Sequence, residues 1–163
     1  MIESGVRISR LDGKPVDESA SIWGEFETES AEATMALGKR LGAELVEDDV
    51  VLLYGELGAG KTVFAKGIAS ALGIDASDVT SPSFTLLHQH RGSCLMLHLD
   101  LYRVSGAIEA EQAGLLDVFC GSAIVVIEWP ERIEEVFKLM SRVEVYINLP
   151  APGHRRIAIR KRS

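Results

Sequence analysis

The sequence predicts a three-layer α/β domain in which helices flank a mainly parallel sheet. Three nearly continuous apolar runs, at residues 50–54, 95–99 and 123–127, are typical of strands that are buried on both faces. Helix-forming segments separate these runs, as they do in strand–helix–strand units. Two alternating runs, at 143–149 and 156–160, surround the turn sequence Pro-Ala-Pro-Gly and predict an antiparallel pair of strands at the C-terminal end of the domain.

The N-terminal end of the chain has the weakest pattern. We interpret residues 1–25 as an N-terminal extension without an assigned role, in which residues 6–8 could form a short strand. The α/β domain is expected to span residues 26–163. Ser30 is a typical N-cap residue for the first predicted helix, whose apolar positions lie between residues 33 and 41.

The residues that follow the first apolar strand match a phosphate-binding motif at every position. Gly55-Glu-Leu-Gly-Ala-Gly-Lys-Thr62 fits the pattern G-x-x-x-x-G-K-[ST]. Helix formers occupy residues 63–72, and Gly73 then provides a natural end to the helix. A strand, a glycine loop and a helix form the structural context in which this motif binds phosphate. The sequence therefore predicts a P-loop NTPase-like domain.

The predicted loop would bind phosphate through its backbone and one lysine. Glycines let successive N–H groups converge on a phosphate, and the N-terminus of the next helix adds donors and the positive end of its dipole. Lys61 is expected to reach the β- and γ-phosphates of ATP, and the Thr62 hydroxyl to bind Mg²⁺. A glycine-rich turn without a ligand would explain neither side chain. The predicted nucleotide-binding residues are Gly55, Glu56, Leu57, Gly58, Ala59, Gly60, Lys61, Thr62 and Val63.

Two carboxylates follow predicted strands at the sheet edge where parallel sheets bind their ligands. Glu128 comes directly after the strand 123–127, and we expect it to hold Mg²⁺ together with Thr62, directly or through water. Asp100 follows the strand at 95–99 and could orient the attacking water or support the metal indirectly. The alternative for each acid is a strand-end cap or an ion pair, with Arg103 as the natural partner of Asp100.

Two further helices are predicted in the second half of the chain. Residues 107–118 have a helical composition, with acidic side chains near the start, where the helix dipole favours negative charge. Pro130 can occupy the first position of another helix that runs to about residue 140. Together with the helix at 63–72, these helices are expected to cover the sheet.

Charge and composition restrict the partners that the chain can have. The net charge of −7 argues against autonomous binding of nucleic acid, because phosphate contacts supply most of the non-specific affinity. No apolar run approaches 18 residues, and the two cysteines form no C-x-x-C pair, so we expect a cytoplasmic protein without a membrane span. One basic cluster is interpreted as the solvated face of an edge strand, with a docking patch as the alternative: Arg155, Arg156, Arg160, Lys161 and Arg162.

Four motifs together resemble the TsaE family, also called YjeE. After the phosphate loop come Ser81-Pro-Ser-Phe-Thr-Leu86, Leu99-Asp-Leu-Tyr-Arg103 and Ile127-Glu-Trp-Pro130, and the resemblance covers roughly residues 28–150. It implies a Mg²⁺-dependent ATPase that associates with the TsaB–TsaD pair. In that pair, TsaD transfers a threonylcarbamoyl group to adenosine 37 of tRNAs that read A-starting codons. On this resemblance, tRNA is contacted only indirectly, through the complex.

The resemblance also implies which residues form the site. The hydroxyl-rich segment 81–85 would act as a switch near the γ-phosphate, and Ser83 stands where the family commonly has threonine, so a hydroxyl is retained. Carried over by position, the family's site comprises a lysine, a hydroxyl, two acids and an aromatic side chain: Lys61, Thr62, Asp100, Glu128 and Trp129.

Hydrolysis in such a site depends mainly on neutralising charge. We expect Lys61, the loop amides and Mg²⁺ to stabilise the transition state. Asp100 is the first candidate for aligning the attacking water and Glu128 the second. No arginine finger can be assigned from the sequence, although Arg103 is a candidate. The family resemblance suggests that partners complete the site, so that the isolated protein turns over slowly.

Other functions remain open at this point. A small-molecule kinase usually carries an arginine-bearing lid over the phosphates. Residues 109–119 contain no arginine, which argues against such a lid here. A GTP-dependent switch would need an Asn-Lys-x-Asp string, and Asn148 is the only asparagine in the chain. A nucleotide-binding subunit without hydrolytic activity is the third alternative.

Overall fold

Eight strands form one mixed sheet in the computed structural model, which describes residues 6–163. Their order across the sheet is β1-β2-β8-β7-β3-β6-β5-β4. The four central strands β7, β3, β6 and β5 run parallel, and the remaining pairs are antiparallel. The strands are β1 (Ile8–Arg10), β2 (Gly24–Thr28), β3 (Val50–Tyr54), β4 (Leu87–Arg91), β5 (Leu95–Asp100), β6 (Ile124–Glu128), β7 (Arg142–Ala151) and β8 (His154–Arg162).

The predicted α/β class is confirmed, and so is the antiparallel C-terminal pair, which is β7 with β8. The parallel part of the sheet is restricted to its centre, because antiparallel strands extend both edges. β1 overlaps the short strand expected at residues 6–8, whereas β2 and β4 were not predicted. Both missed strands are polar and only partly buried, so they lack the continuous apolar run that marks the central strands.

Two helices, α1 (Ala31–Glu44) and α2 (Lys61–Ala71), cover one face of the sheet. The predicted N-cap of α1 is confirmed, since Ser30 Oγ accepts a hydrogen bond of 3.0 Å from the backbone N–H of Ala33. Buried side chains from both helices, such as Leu37 of α1 and Phe64 of α2, pack against alternate residues of the strands. This layer fixes α2, and with it the end of the glycine loop, over the centre of the sheet.

The backbones of α1 and α2 come into direct contact at glycines. A Cβ atom added to Gly67 would lie 2.1 Å from the carbonyl oxygen of Met35, and one added to Gly38 would lie 2.3 Å from that of Phe64. No side chain fits into these distances. The two helices therefore depend on glycine at their crossing point.

The opposite face is covered by short, irregular helices. These are α3 (Ala107–Gln112), two 3₁₀ segments (Leu115–Cys120 and Pro130–Ile133) and α4 (Glu134–Phe137). The predicted continuous helix at 107–118 is wrong beyond residue 112, because Gly114 adopts a left-handed conformation with φ of 73°. A third 3₁₀ segment, Ala76–Asp78, follows α2.

The helix predicted from Pro130 to about residue 140 is also shorter than expected. It consists of the 3₁₀ turn followed by the four residues of α4. Nη1 of Arg142 donates hydrogen bonds to the carbonyl oxygens of Phe137 and Met140, at 2.8 and 3.1 Å. These carbonyls are thus satisfied without a further helical turn. Across residues 6–163, no helix combines the length and the apolar character that crossing a membrane would require.

The basic C-terminal cluster lies on an internal strand, so its interpretation as an edge strand is wrong. β8 is flanked by β7 and by β2, the strand that was not predicted. Three of the five side chains are paired with carboxylates. Arg156 lies 3.3 Å from Glu27 and Arg160 lies 3.7 Å from Glu25. Arg162 pairs with Glu144 at 3.1 Å.

Glu144 is a buried acid on β7, and replacing it with glutamine should destabilise the protein. Arg142, Arg162 and Tyr146 all donate hydrogen bonds to its carboxylate, at 2.9 to 3.1 Å. Burial pushes the pKa of Glu144 up, but these hydrogen bonds outweigh burial and hold the net pKa below its usual value. A lowered folded-state pKa stabilises the fold above the unfolded pKa, and this stabilisation is lost as the pH falls through the folded pKa.

We expect Glu144→Gln to lower the free energy of unfolding by about 2 kcal/mol at pH 7. The difference from the unmodified protein should shrink as the pH falls below the usual glutamate pKa of about 4.3 and then through the lower pKa of folded Glu144. Urea titrations at several pH values would measure it. Glu25→Gln is the control, since its side chain is 46% exposed and its pair with Arg160 should contribute less than about 1 kcal/mol. A pH-independent loss in Glu144→Gln would contradict this account.

Candidate active site

A cleft of about 380 Å³ lies at the carboxyl ends of the central parallel strands. It contains six of the nine predicted loop residues, together with both predicted acids, while Gly55, Glu56 and Ala59 do not line it. Its walls are formed by Leu57, Gly58, Gly60, Lys61, Thr62, Val63, Ser81, Ser83, Asp100, Tyr102, Glu128, Trp129 and Arg155. The structure thus brings the predicted lysine, hydroxyl and acids into one cleft.

Two glycines give the loop between β3 and α2 its shape. Gly60, which precedes the first residue of α2, has φ of 110°, in the region that residues with side chains rarely adopt. Gly55 is required by its neighbour, because an added Cβ atom would lie 2.7 Å from the carbonyl oxygen of Ile147 on β7. The loop is therefore packed directly against the strand next to β3.

Lys61 is held close to the backbone of its own loop. Its Nζ donates hydrogen bonds to the carbonyl oxygens of Gly55 and Glu56, at 2.5 and 2.9 Å. Only 5% of the residue is exposed. Burial lowers the pKa of Lys61. The carboxylates of Glu128, Glu131 and Asp100 partly counter this effect, and Glu128 contributes most among them. The Lys61 amine is therefore a buried cation next to the first turn of α2.

Trp129 covers the Lys61 amine. Nζ lies 4.0 Å from the centre of the Trp129 ring, a distance typical of a cation–π contact. The backbone of Trp129 is left-handed, with φ of 60° and ψ of 46°, which is uncommon for a residue with a bulky side chain. Tyr102 also packs against Trp129, with the ring centroids 4.9 Å apart. The resemblance implied that Trp129 belongs to the site, and the structure places it on the wall of the cleft.

A chain of hydrogen bonds joins α2 to the two central strands through Glu128. The Thr62 hydroxyl donates to Oε1 of Glu128 at 2.9 Å, and Nε2 of His98 lies 2.9 Å from Oε2. Both Glu128 and His98 are buried. Within the part of the chain that the structure describes, Nδ1 of His98 has no hydrogen-bond partner. Both carboxylate oxygens of Glu128 are therefore fixed in direction.

His98 was not predicted as part of the site. It is two residues before Asp100 on β5, so the two side chains point to the same face of the sheet. The register supports this placement, because Asp100 is paired with Glu128 on the neighbouring strand. The alternation of His98 and Asp100 in the sequence is the signal that could have found it.

Asp100 is held by hydroxyls of the segment that the resemblance singled out. Ser81 and Ser83 donate hydrogen bonds to Oδ2, at 2.5 and 3.3 Å. The backbone N–H of Tyr102 donates to Oδ1 at 2.9 Å, so Asp100 also caps the end of its strand. The alternative pairing with Arg103 is wrong, since that guanidinium lies 4.2 Å from the centre of the Phe84 ring.

The oxygen atoms of Thr62 and Glu128 fit a small divalent cation. A hydroxyl and a carboxylate, with phosphate and water as the other ligands, are a common protein contribution to a Mg²⁺ site. Among residues 6–163 there is no group of three or more His, Cys, Asp or Glu side chains that could hold a metal by themselves. A metal held by Thr62 and Glu128 would take its remaining ligands from phosphate and water.

The fold and this cleft define a P-loop-like α/β domain. The family model described as "Threonylcarbamoyl adenosine biosynthesis protein TsaE" matches residues 28–157. The chain therefore belongs to the TsaE family. The family resemblance derived from the four motifs is confirmed.

Relatives of known name support the assignment over most of the chain. The Mycobacterium tuberculosis protein named tRNA threonylcarbamoyladenosine biosynthesis protein TsaE is 45% identical to this chain over 113 residues. The match covers 64% of this chain and 67% of that protein. The Treponema pallidum protein of that name is 37% identical over 130 residues, with 80% and 95% covered. The crystal structure of Bacillus subtilis YdiB superposes with a TM-score of 0.65 at 31% identity, covering 82% of this chain and 81% of that one.

Proposed function

We propose that this protein is a Mg²⁺-dependent ATPase that supports the TsaB–TsaD complex in forming N6-threonylcarbamoyladenosine at position 37 of tRNAs reading A-starting codons. The observation that carries the proposal is the convergence of Lys61, Thr62, Asp100 and Glu128 in one cleft of a TsaE family chain. The relatives' shared name supports a role in this biosynthetic pathway.

Charge neutralisation is the main task in phosphoryl transfer, and the cleft contains the groups for it. Lys61 would leave the carbonyl oxygens of Gly55 and Glu56 and place its charge on the β- and γ-phosphates. The loop amides and the N-terminus of α2 would bind the remaining phosphate oxygens. Thr62 and Glu128 would hold Mg²⁺, which supplies positive charge next to the reacting phosphate when it is bound.

Asp100 is proposed to orient the attacking water. It lies beside Glu128 in the register of β5 and β6, and its carboxylate is fixed by Ser81, Ser83 and the backbone of Tyr102. Because Ser81 and Ser83 belong to a loop, a movement of this loop would also move or release Asp100. This arrangement supports a slow basal reaction that becomes faster when partners fix the loop.

The partners are proposed from the family alone, and the charge of the chain is consistent with them. With a net charge of −7, the protein is a weak candidate for direct binding of tRNA. We propose that it reaches tRNA only through TsaB–TsaD, in the cytoplasm.

The test is phosphate release from Mg²⁺-ATP, measured with and without TsaB–TsaD. We expect the TsaB–TsaD pair to stimulate phosphate release. Asp100→Asn should lower kcat by about 100-fold or more while ATP still binds, because the variant removes the group that orients the water but leaves the phosphate-binding loop intact. Asp117→Asn is the control, since Asp117 is exposed on a 3₁₀ segment outside the cleft. ATP consumption only in the presence of a small-molecule acceptor would instead identify a kinase. Equal rates with GTP would favour a switch.

A further inference from the structure

Arg155 differs from the other basic residues of the C-terminal cluster in the face of β8 that it occupies. It alternates with the buried residues Ile157 and Ile159, so its side chain lies on the α1–α2 side of the sheet. Arg156 lies on the opposite face and pairs with Glu27. The paired arginines of the cluster thus point away from the cleft, and Arg155 points towards it.

The Arg155 side chain lies on the phosphate loop itself. Its Nε donates a hydrogen bond of 2.9 Å to the carbonyl oxygen of Ala59. A Cβ atom added to Gly60 would lie 2.8 Å from Nε and 3.6 Å from Cζ, so the guanidinium covers the residue that precedes α2. Arg155 also lines the cleft.

Most of the hydrogen-bonding capacity of Arg155 is unused. A guanidinium has five N–H donors, and the bond to Ala59 uses one of them. Within residues 6–163, Arg155 makes no ion pair and no second hydrogen bond. Arg156, Arg160 and Arg162 each have a carboxylate partner. A half-buried guanidinium at a glycine loop, with two free nitrogens, is suited to bind an anion.

We infer that Arg155 is a phosphate-binding residue of the nucleotide site. The inference rests on the proposed function, because it assumes that the loop binds a nucleotide. Gly60 belongs to the part of the loop whose N–H groups surround the α- and β-phosphates. Arg155 would therefore contact a phosphate that ADP and ATP share. Its Nε bond to Ala59 holds the guanidinium in place, and Nη1 and Nη2 supply the contact.

The competing explanation is that Arg155 only braces the loop against β8. Bracing predicts a loss of stability when Arg155 is replaced, and any accompanying change in nucleotide affinity would not depend on the charge of the replacement. Phosphate binding predicts a loss of affinity that depends on the positive charge. Arg155→Lys separates the two, because lysine keeps the charge but cannot reproduce the Nε bond to Ala59 in the same geometry.

The experiment is calorimetric titration of the full chain with ADP and with ATP, in the unmodified protein and in three variants. We expect Arg155→Gln to bind both nucleotides about 10- to 100-fold more weakly, as expected for the loss of a charged hydrogen bond. Arg155→Lys should lose less than Arg155→Gln. Arg156→Gln, the adjacent arginine on the other face, should bind like the unmodified protein. Thermal melts without nucleotide establish that each variant is folded.

Three results would overturn the inference. The first is unchanged affinity in folded Arg155→Gln, and the second is an equal loss in Arg156→Gln. In the third, Arg155→Lys binds as weakly as Arg155→Gln while both variants melt at a lower temperature, which would show a bracing role. If the unmodified protein binds neither ADP nor ATP, the proposed function fails as well, and that result differs from a protein that binds nucleotides independently of Arg155.

Discussion

Replacing Lys61 with alanine is expected to lower the rate of phosphate release by about 1000-fold or more, with or without TsaB–TsaD. The variant removes the only cation that the loop sequence contributes, and this cation lies between the loop carbonyls and the Trp129 ring. The negative charges of Glu128 and Asp100 would then lack the positive charge of Lys61 in the same cleft. Both binding of the triphosphate and stabilisation of the transition state should suffer.

Phosphate release at saturating and limiting Mg²⁺-ATP would separate the effects on kcat and KM. Lys66→Ala is the matched control, because Lys66 lies on the same helix and does not line the cleft. We expect the control to retain the rate of the unmodified protein. Near-normal turnover in Lys61→Ala would contradict the assignment of this cleft as the catalytic site.

The largest effect on stability is expected from Gly67→Ala. The added methyl group would lie 2.1 Å from the carbonyl oxygen of Met35 and 2.8 Å from the backbone nitrogen of Lys39, both of them main-chain atoms. Because backbone atoms cannot rotate away as a side chain does, α1 and α2 would have to separate. We expect a loss of about 3 kcal/mol in the free energy of unfolding, and a melting temperature lower by about 10 °C.

Thermal and urea unfolding of the purified protein would measure this loss. Gly121→Ala provides the control, since a Cβ atom at Gly121 meets nothing within 4 Å and its φ of −116° suits any residue. The control should melt within a few degrees of the unmodified protein. If Gly67→Ala were as stable as Gly121→Ala, the close helix crossing would not exist in solution.

The central strands could be predicted because their signal is local. β3, β5 and β6 are each short apolar runs, and the glycines after β3 identify the phosphate-binding loop. β2 and β4 carry no such signal, because they lie outside the parallel core and are partly exposed. The length of the helix at 107–118 was overestimated for a related reason, since composition did not reveal that Gly114 is left-handed.

The candidate site was predictable to the extent that its residues lie in motifs. Lys61, Thr62, Asp100 and Glu128 each lie in a short recognisable string, and the structure brings them together, while their chemical roles stay predictions. Arg155 was missed because its approach to Ala59 joins residues that are 96 positions apart. Only the unpredicted pairing of β2 with β8 shows that Arg155 lies inside the sheet, rather than at an edge.

The position of β7 in the sheet has a consequence for the synthesis of the protein. β3 lies between β6 and β7, and Gly55 packs against Ile147 of β7. A nascent chain that has emerged as far as residue 140 contains the whole glycine loop and both acids, but it lacks one of the two strands that flank β3. Pairings between distant segments also form late in folding, because the entropy of loop closure must be overcome first. The cleft can therefore be completed only after the β7–β8 hairpin has been synthesised.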